Sequence, residues 1–169
     1  AIAEYWNKSG ASIKQTVSDL PAGAYELIAV ALTRDGMTAV LNAGSNTMNI
    51  VTVGTSTVYN RTQANNWFNN GNGVNDLDFT LDEAASSLEI GLTADNTTAD
   101  YWMVWRSFSL TYYGDPLNLG KAALAEAVAN AEALEGTIPS GVYAGVAEVV
   151  AEKNQSYTTI DEYEAAVAA

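Results

Sequence analysis

The residues best suited to chemistry in this sequence are aromatics set beside amides. Trp67 and Phe68 lie within residues 65–73, a stretch that also supplies Asn66, Asn69 and Asn72. Trp102 follows Asp100 and Tyr101 at the end of a polar run over 94–99. An aromatic ring can take the apolar C–H face of a pyranose, while amides and a forked guanidinium exchange hydrogen bonds with its hydroxyls. Arg34, beside Asp35, offers such a guanidinium; its plainer alternative is a surface ion pair worth ~0.5 kcal/mol. Trp102, Trp67, Arg34, Asn66, Asn69, Asn72, Asp100 and Tyr101 are therefore the candidate ligand-binding residues. Trp6 is either a further contact or cover for a sheet edge, and Arg61 is another scarce cation. The competing reading of 65–73 is turn geometry, with Trp67 or Phe68 plugging the end of a core.

Asp76 and Asp78 invite a second chemistry. Two residues apart on a strand they share a face at about 7 Å, which suggests the acid and base of a glycosidase. They alternate with Leu77 and Phe79 as a solvated strand face does, and no apolar neighbour in sequence would raise one carboxyl's pKa. No catalysis is expected of them.

Composition narrows the field further. The 169 residues contain no histidine and no cysteine, which removes Ser-His and Cys-His nucleophile pairs, thiolate chemistry and the usual zinc ligands. No catalytic or metal residue and no cofactor is expected. A formal charge of −13 argues against nucleic acid and anionic membranes, both of which require basic patches. No apolar run of about 18 residues is available to cross a bilayer. The sequence stops inside a helical pattern, so we expect a segment of a longer protein, with other domains of the same polypeptide among its partners.

These side chains must be held by strands. Phe108, Leu110 and Tyr112 alternate with Ser107, Ser109 and Thr111; Leu77, Phe79 and Leu81 alternate with Asp76, Asp78 and Thr80; and Leu88, Ile90 and Leu92 form a third one-face-wet strand. Residues 25–32 are apolar on both faces, which marks a central strand. Residues 13–17, 38–41, 48–53 and 57–60 complete the candidates. Turn signals every ten residues or so, with no helix between, predict an antiparallel jelly-roll β-sandwich over 1–115. At Asp115-Pro116 the pattern changes to helical spacing. Helices are predicted from Leu117 to Gly136, from about 142 to 155, and from a Thr159/Glu162 capping box onward. Residues 116–169 are thus read as a short, truncated three-helix segment acting as a spacer. If the 20–23 and 82–86 turns share one end of the sandwich, then 34–36, 65–73 and 95–101 converge at the other.

The motifs at residues 13–25, 77–81, 88–92 and 102–113, in that order and spacing, resemble galactose-binding-domain-like β-sandwiches. These are the carbohydrate-binding modules of bacterial polysaccharide-degrading enzymes and surface proteins. The helical tail resembles the small FIVAR repeats found between modules of such proteins. The resemblance implies a secreted or cell-surface, non-catalytic accessory domain that brings a larger glycan-degrading protein to a polysaccharide or oligosaccharide. The alternative is a structural or adhesive spacer that binds no glycan. Such modules often hold a structural Ca²⁺ with an acidic residue of the closing strand, where this chain has Arg106 and Ser107, a departure that puts the calcium in doubt. A sugar module should leave an aromatic exposed among polar side chains; a spacer should bury all four tryptophans.

Overall fold

The computed structural model describes residues 1–6, 10–34, 36–95, 102–135 and 149–168. Within them the chain forms β1 (Ala3–Trp6), β2 (Ala11–Leu20), β3 (Gly23–Arg34), β4 (Thr38–Ala43), β5 (Asn46–Asn49), β6 (Thr52–Val53), α1 (Arg61–Asn69), β7 (Val74–Leu81), β8 (Ala85–Asp95), β9 (Trp102–Gly114), α2 (Pro116–Glu135) and α3 (Ile160–Ala168). The chain divides between Tyr112 and Tyr113 into two units. No described helix is long and apolar enough to cross a membrane.

In the first unit two sheets share the strands. One is ordered β1-β9-β3-β6, with β7 also on β3; the other is β2-β8-β4-β5. The apolar run predicted as a central strand is β3, which pairs antiparallel with β7 from Gly23↔Leu81 to Val30↔Val74 and then parallel with β6 at Thr33 and Arg34. The parallel step is a departure from the all-antiparallel expectation. Alternation explains what β3 does with both faces. Tyr25, Leu27, Ala29 and Ala31 pack against Ile90, Leu92, Leu41 and Met103 in a core lined by both sheets. Leu32 joins a second cluster with Val53, Val58, Ala64, Phe68, Trp102 and Val104, where α1 covers the outer face of the first sheet.

Two positions lock the strands in place. Gly91, in the middle of β8 with φ +156°, lies so close to β2 that an added Cβ would stand 2.0 Å from the carbonyl oxygen of Ile13. Only glycine fits there. In β9 the inward residues are Met103 and Trp105, then Phe108 and Leu110. The inward phase slips by one residue, as a β-bulge makes it do.

Two expectations are corrected. Residues 65–73 are not a loop: through Asn69 they belong to α1, because the Asn60 side chain caps the helix at Gln63 N, 3.0 Å away, and Ala64 and Phe68 fall on one buried stripe. Residues 57–60 are not a strand but the turn that leads into this helix, closed by Thr57 and Val58 N–H donating to the Gly54 carbonyl.

In the second unit α2 and α3 bury Leu124, Val128, Tyr163 and Ala166 against one another. Gly120 makes room for Tyr163, whose Cβ would be 2.8 Å from a Cβ at that position. Asp115 Oδ1 accepts from Leu117 N, as the Asp-Pro signal predicts. The Thr159/Glu162 capping box forms in both directions, with Thr159 N donating to Glu162 Oε2 and Glu162 N donating to Thr159 Oγ1. The predicted middle helix lies largely outside the described residues; from 149 a helical turn passes into a 3-10 turn over Glu152–Asn154 and ends there.

Candidate functional site

The short strand β1 pairs with the start of β9, Glu4 opposite Val104 and Trp6 opposite Trp102. Tyr5 turns into the core between the sheets, so Glu4 and Trp6 project from the opposite face, which they share with Trp102. The last residue of β3, Arg34, and the turn before α1, carrying Tyr59, Asn60 and Arg61, reach the same place. Glu4, Trp6, Tyr59, Asn60, Arg61 and Trp102 line a cleft of ≈ 330 Å³.

Two of its rings face water. Trp6 is 48% exposed and Tyr59 63%. Beneath them lies the Arg34 guanidinium, itself only 4% exposed, with its central carbon 4.6 Å from the Trp6 ring centroid, 5.7 Å from that of Tyr59 and 5.8 Å from that of Trp102. Arg34 Nη1 also donates to the Tyr59 carbonyl at 3.3 Å. Contact with three aromatic rings offsets, through their quadrupoles, part of what the guanidinium loses in hydration. Trp6 meets Trp102 edge to face at 6.4 Å.

The polar rim is mutually engaged. Trp102 Nε1 donates to Glu4 Oε2 at 3.0 Å, while Arg61 approaches Glu4 Oε1 at 3.7 Å and donates to the Ile2 carbonyl at 2.7 Å. Tyr59 N donates to Gln63 Oε1 at 2.6 Å, which fixes the backbone under its ring to the first turn of α1.

The predicted site residues fare unequally. Trp102 is in the cleft but 1% exposed, so it cannot serve as an open platform; the exposed indole there is that of its cross-strand partner Trp6. Arg34 does not line the cleft; it is packed behind the cleft's aromatic rings rather than open to hydroxyls. Trp67 is half-buried against the second cluster, and its indole N–H has no partner among the described residues. Asn72 donates to the Trp67 carbonyl at 3.2 Å and closes the end of α1. Asn69 accepts at 2.9 Å from Arg106, which also donates to Asn65 O and Oδ1 and lies 5.3 Å from the Phe68 centroid. Asn66 is exposed on the helix. None of the residues 66, 67, 69 and 72 lines the cleft. Asp100 and Tyr101 lie outside the described residues.

Sequence reasoning missed Glu4, Tyr59 and Asn60. Asn60 and Gln63 carry the spacing of a helix cap, which could have placed 59–61 at a helix start. Nothing local marks Glu4.

The Ca²⁺ site implied by the family resemblance does not fit this strand. Arg106 brings positive charge where a carboxylate would be required, and the amide oxygens around it already accept from its guanidinium. Three carboxylates, Glu26, Asp76 and Asp78, do come within 4.8 Å of one another elsewhere, on β3 and β7.

No protein-family model and no curated protein matches the chain. Among solved structures, TmCBM61 in complex with beta-1,4-galactotriose is 16% identical across 64% of this chain and 68% of that one, with a TM-score of 0.43. DesR, a beta-glucosidase from Streptomyces venezuelae in complex with D-glucose, is 18% identical across 75% of this chain but only 13% of that one, with a TM-score of 0.36. At these scores the likeness assigns neither ligand nor activity.

Proposed function

We propose that the first unit is a non-catalytic carbohydrate-binding module that takes a neutral glycan in the cleft of Trp6, Tyr59, Asn60, Arg61 and Glu4, and that it serves a larger extracellular protein. The observation that carries this reading is the exposed indole of Trp6, open to water on one side and set among polar side chains. A spacer has no use for an indole held in that state, since covering it would gain up to a few kcal/mol of apolar burial.

The cleft's charges favour a neutral ligand. Glu4 is matched by Arg61, and Arg34 is packed behind rings. Catalysis is not supported by the same arrangement, because the cleft's carboxylate, Glu4, already accepts from Trp102 Nε1 and faces Arg61. Asp76 pairs with Ile28, six residues along β3 from Arg34, and so stands about 20 Å from the cleft.

Each hydrogen bond to a sugar in so open a site replaces one to water and gains about 0.5 to 1.5 kcal/mol. Stacking on Trp6 must therefore carry much of an affinity in the ~mM to ~µM range, about −4 to −8 kcal/mol. A glycan array identifies the ligand, and electrophoresis through gels containing that polysaccharide measures retention. Trp6→Ala should abolish retardation while leaving the near-UV CD spectrum of the folded protein. Retardation of Trp6→Ala equal to the parent's would place the glycan elsewhere.

A further inference from the structure

Arg34 is placed oddly for a ligand contact and well for another task. It is almost wholly buried, yet its guanidinium touches the two most exposed rings of the cleft at once, 4.6 Å from Trp6 and 5.7 Å from Tyr59. Those rings come from unconnected parts of the chain, the first strand and the turn before α1, and no hydrogen bond of either ring to the other fixes their spacing among the described residues. The planar cation beneath them, in contact with both, does. Its hydrogen bond to the Tyr59 carbonyl ties the turn to β3, and its stacking on Trp6 ties β1 to the same atom group. The two centroids can be no further apart than the two distances laid end to end, an upper limit within which neighbouring pyranose rings of one chain fall.

We propose that Arg34 is a positioning residue that holds Trp6 and Tyr59 as a two-ring platform, so that the cleft selects oligosaccharides of at least two units over monosaccharides. This rests on the glycan-binding reading above and adds ligand length and the part of Arg34 to it. Arg34 does not touch the sugar; it sets where the second ring stands relative to the first. A lysine keeps the charge but has no plane with which to stack on two rings, so Arg34→Lys is not a conservative change here.

The test is titration calorimetry of the full chain with mono- to tetrasaccharides of the β-1,4-linked glucose, galactose, mannose and xylose series. In the series that binds, the parent should favour the disaccharide over the monosaccharide by about tenfold or more. Tyr59→Ala, at an exposed position that leaves the core intact, should weaken binding of the disaccharide more than that of the monosaccharide and so erase that preference. Arg34→Lys and Arg34→Met should likewise flatten the dependence on length; a purely structural role would weaken all lengths in proportion and leave the ratio alone. Tyr59→Ala with the parent's length dependence overturns the two-ring platform, even if Trp6→Ala abolishes binding and the site itself stands. Should an Arg34 variant fail to fold, Tyr59→Ala still decides. If no series binds, or Trp6→Ala binds as the parent does, the glycan-binding reading falls and this inference with it.

Discussion

The amide of Asn75 reaches four backbone groups from a position 3% exposed. Its Oδ1 accepts from Val51 N at 2.7 Å, and its Nδ2 lies 3.0, 2.9 and 2.9 Å from the carbonyls of Ala29, Ala31 and Gly73. It thus stands in for the ladder where β7 leaves β3 and the chain before β6 arrives. Asn75→Ala should cost about 3 kcal/mol in urea denaturation, because buried donors and acceptors are left unpaired. Asn75→Asp should cost more, since a carboxylate would face carbonyl oxygens. An aspartate tolerated better than the alanine would refute this account. Its inward phase with Leu77 and Phe79 is legible in the sequence, but its partners, up to 46 residues away, are not. The same holds for the tryptophans. That aromatics would form a binding surface could be argued from their type, whereas the choice between Trp6 and Trp102 depends on which of two facing rings Leu32, Val58 and α1 happen to cover.

Among the elements, β3 was legible from apolar residues on both faces, and β7, β8 and the later part of β9 from their alternation, because a period of two is a strong local signal. β1 was not, since four residues are too few to show a period. α1 was read as a loop for a different reason. Its asparagines favour turns in isolation, and the helix is held instead by tertiary contacts: Phe68 in the second cluster, and Arg106 donating to Asn65 and Asn69. Its start also builds the rim of the cleft. Asn60→Ala removes the cap that Gln63 N uses, and should lower stability by about 1 kcal/mol, while Asn60→Asp, which keeps the acceptor, should be nearly neutral. Chemical denaturation midpoints at constant slope provide the comparison; equal losses in both variants would mean the cap contributes nothing.

At the scale of the molecule, the helical unit carries its own dependence on pH. The backbone N–H of Thr158, its hydroxyl and the N–H of Thr159 hold the Glu162 carboxyl below its ordinary value of 4.5, so this contribution is complete above that value and is lost as pH falls through the lowered one. The hydrogen bond to Glu152 raises the Tyr157 hydroxyl above its ordinary 10.0, with burial adding to it, so that contribution is present below pH 10.0 and lost as pH climbs through the raised value. Helical ellipticity should therefore melt at lower temperature at both extremes, and Glu162→Gln, which keeps an acceptor without the charge, should flatten the acid limb only. An acid limb unchanged in that variant would rule out Glu162 as its source. The change of period near Asp115 let the sequence divide the chain, and strand order could not be read because pairing is decided by distant segments. One consequence belongs to β1 alone. Four residues, laddered to a single neighbour, deliver Glu4 and Trp6 to the cleft. Short edge strands of this kind open locally at low free energy. If the cleft takes a glycan as proposed, occupancy and docking of that strand are a single linked equilibrium: apparent affinity would scale with the docked fraction, and a bound ligand would hold the edge of the sheet shut in return.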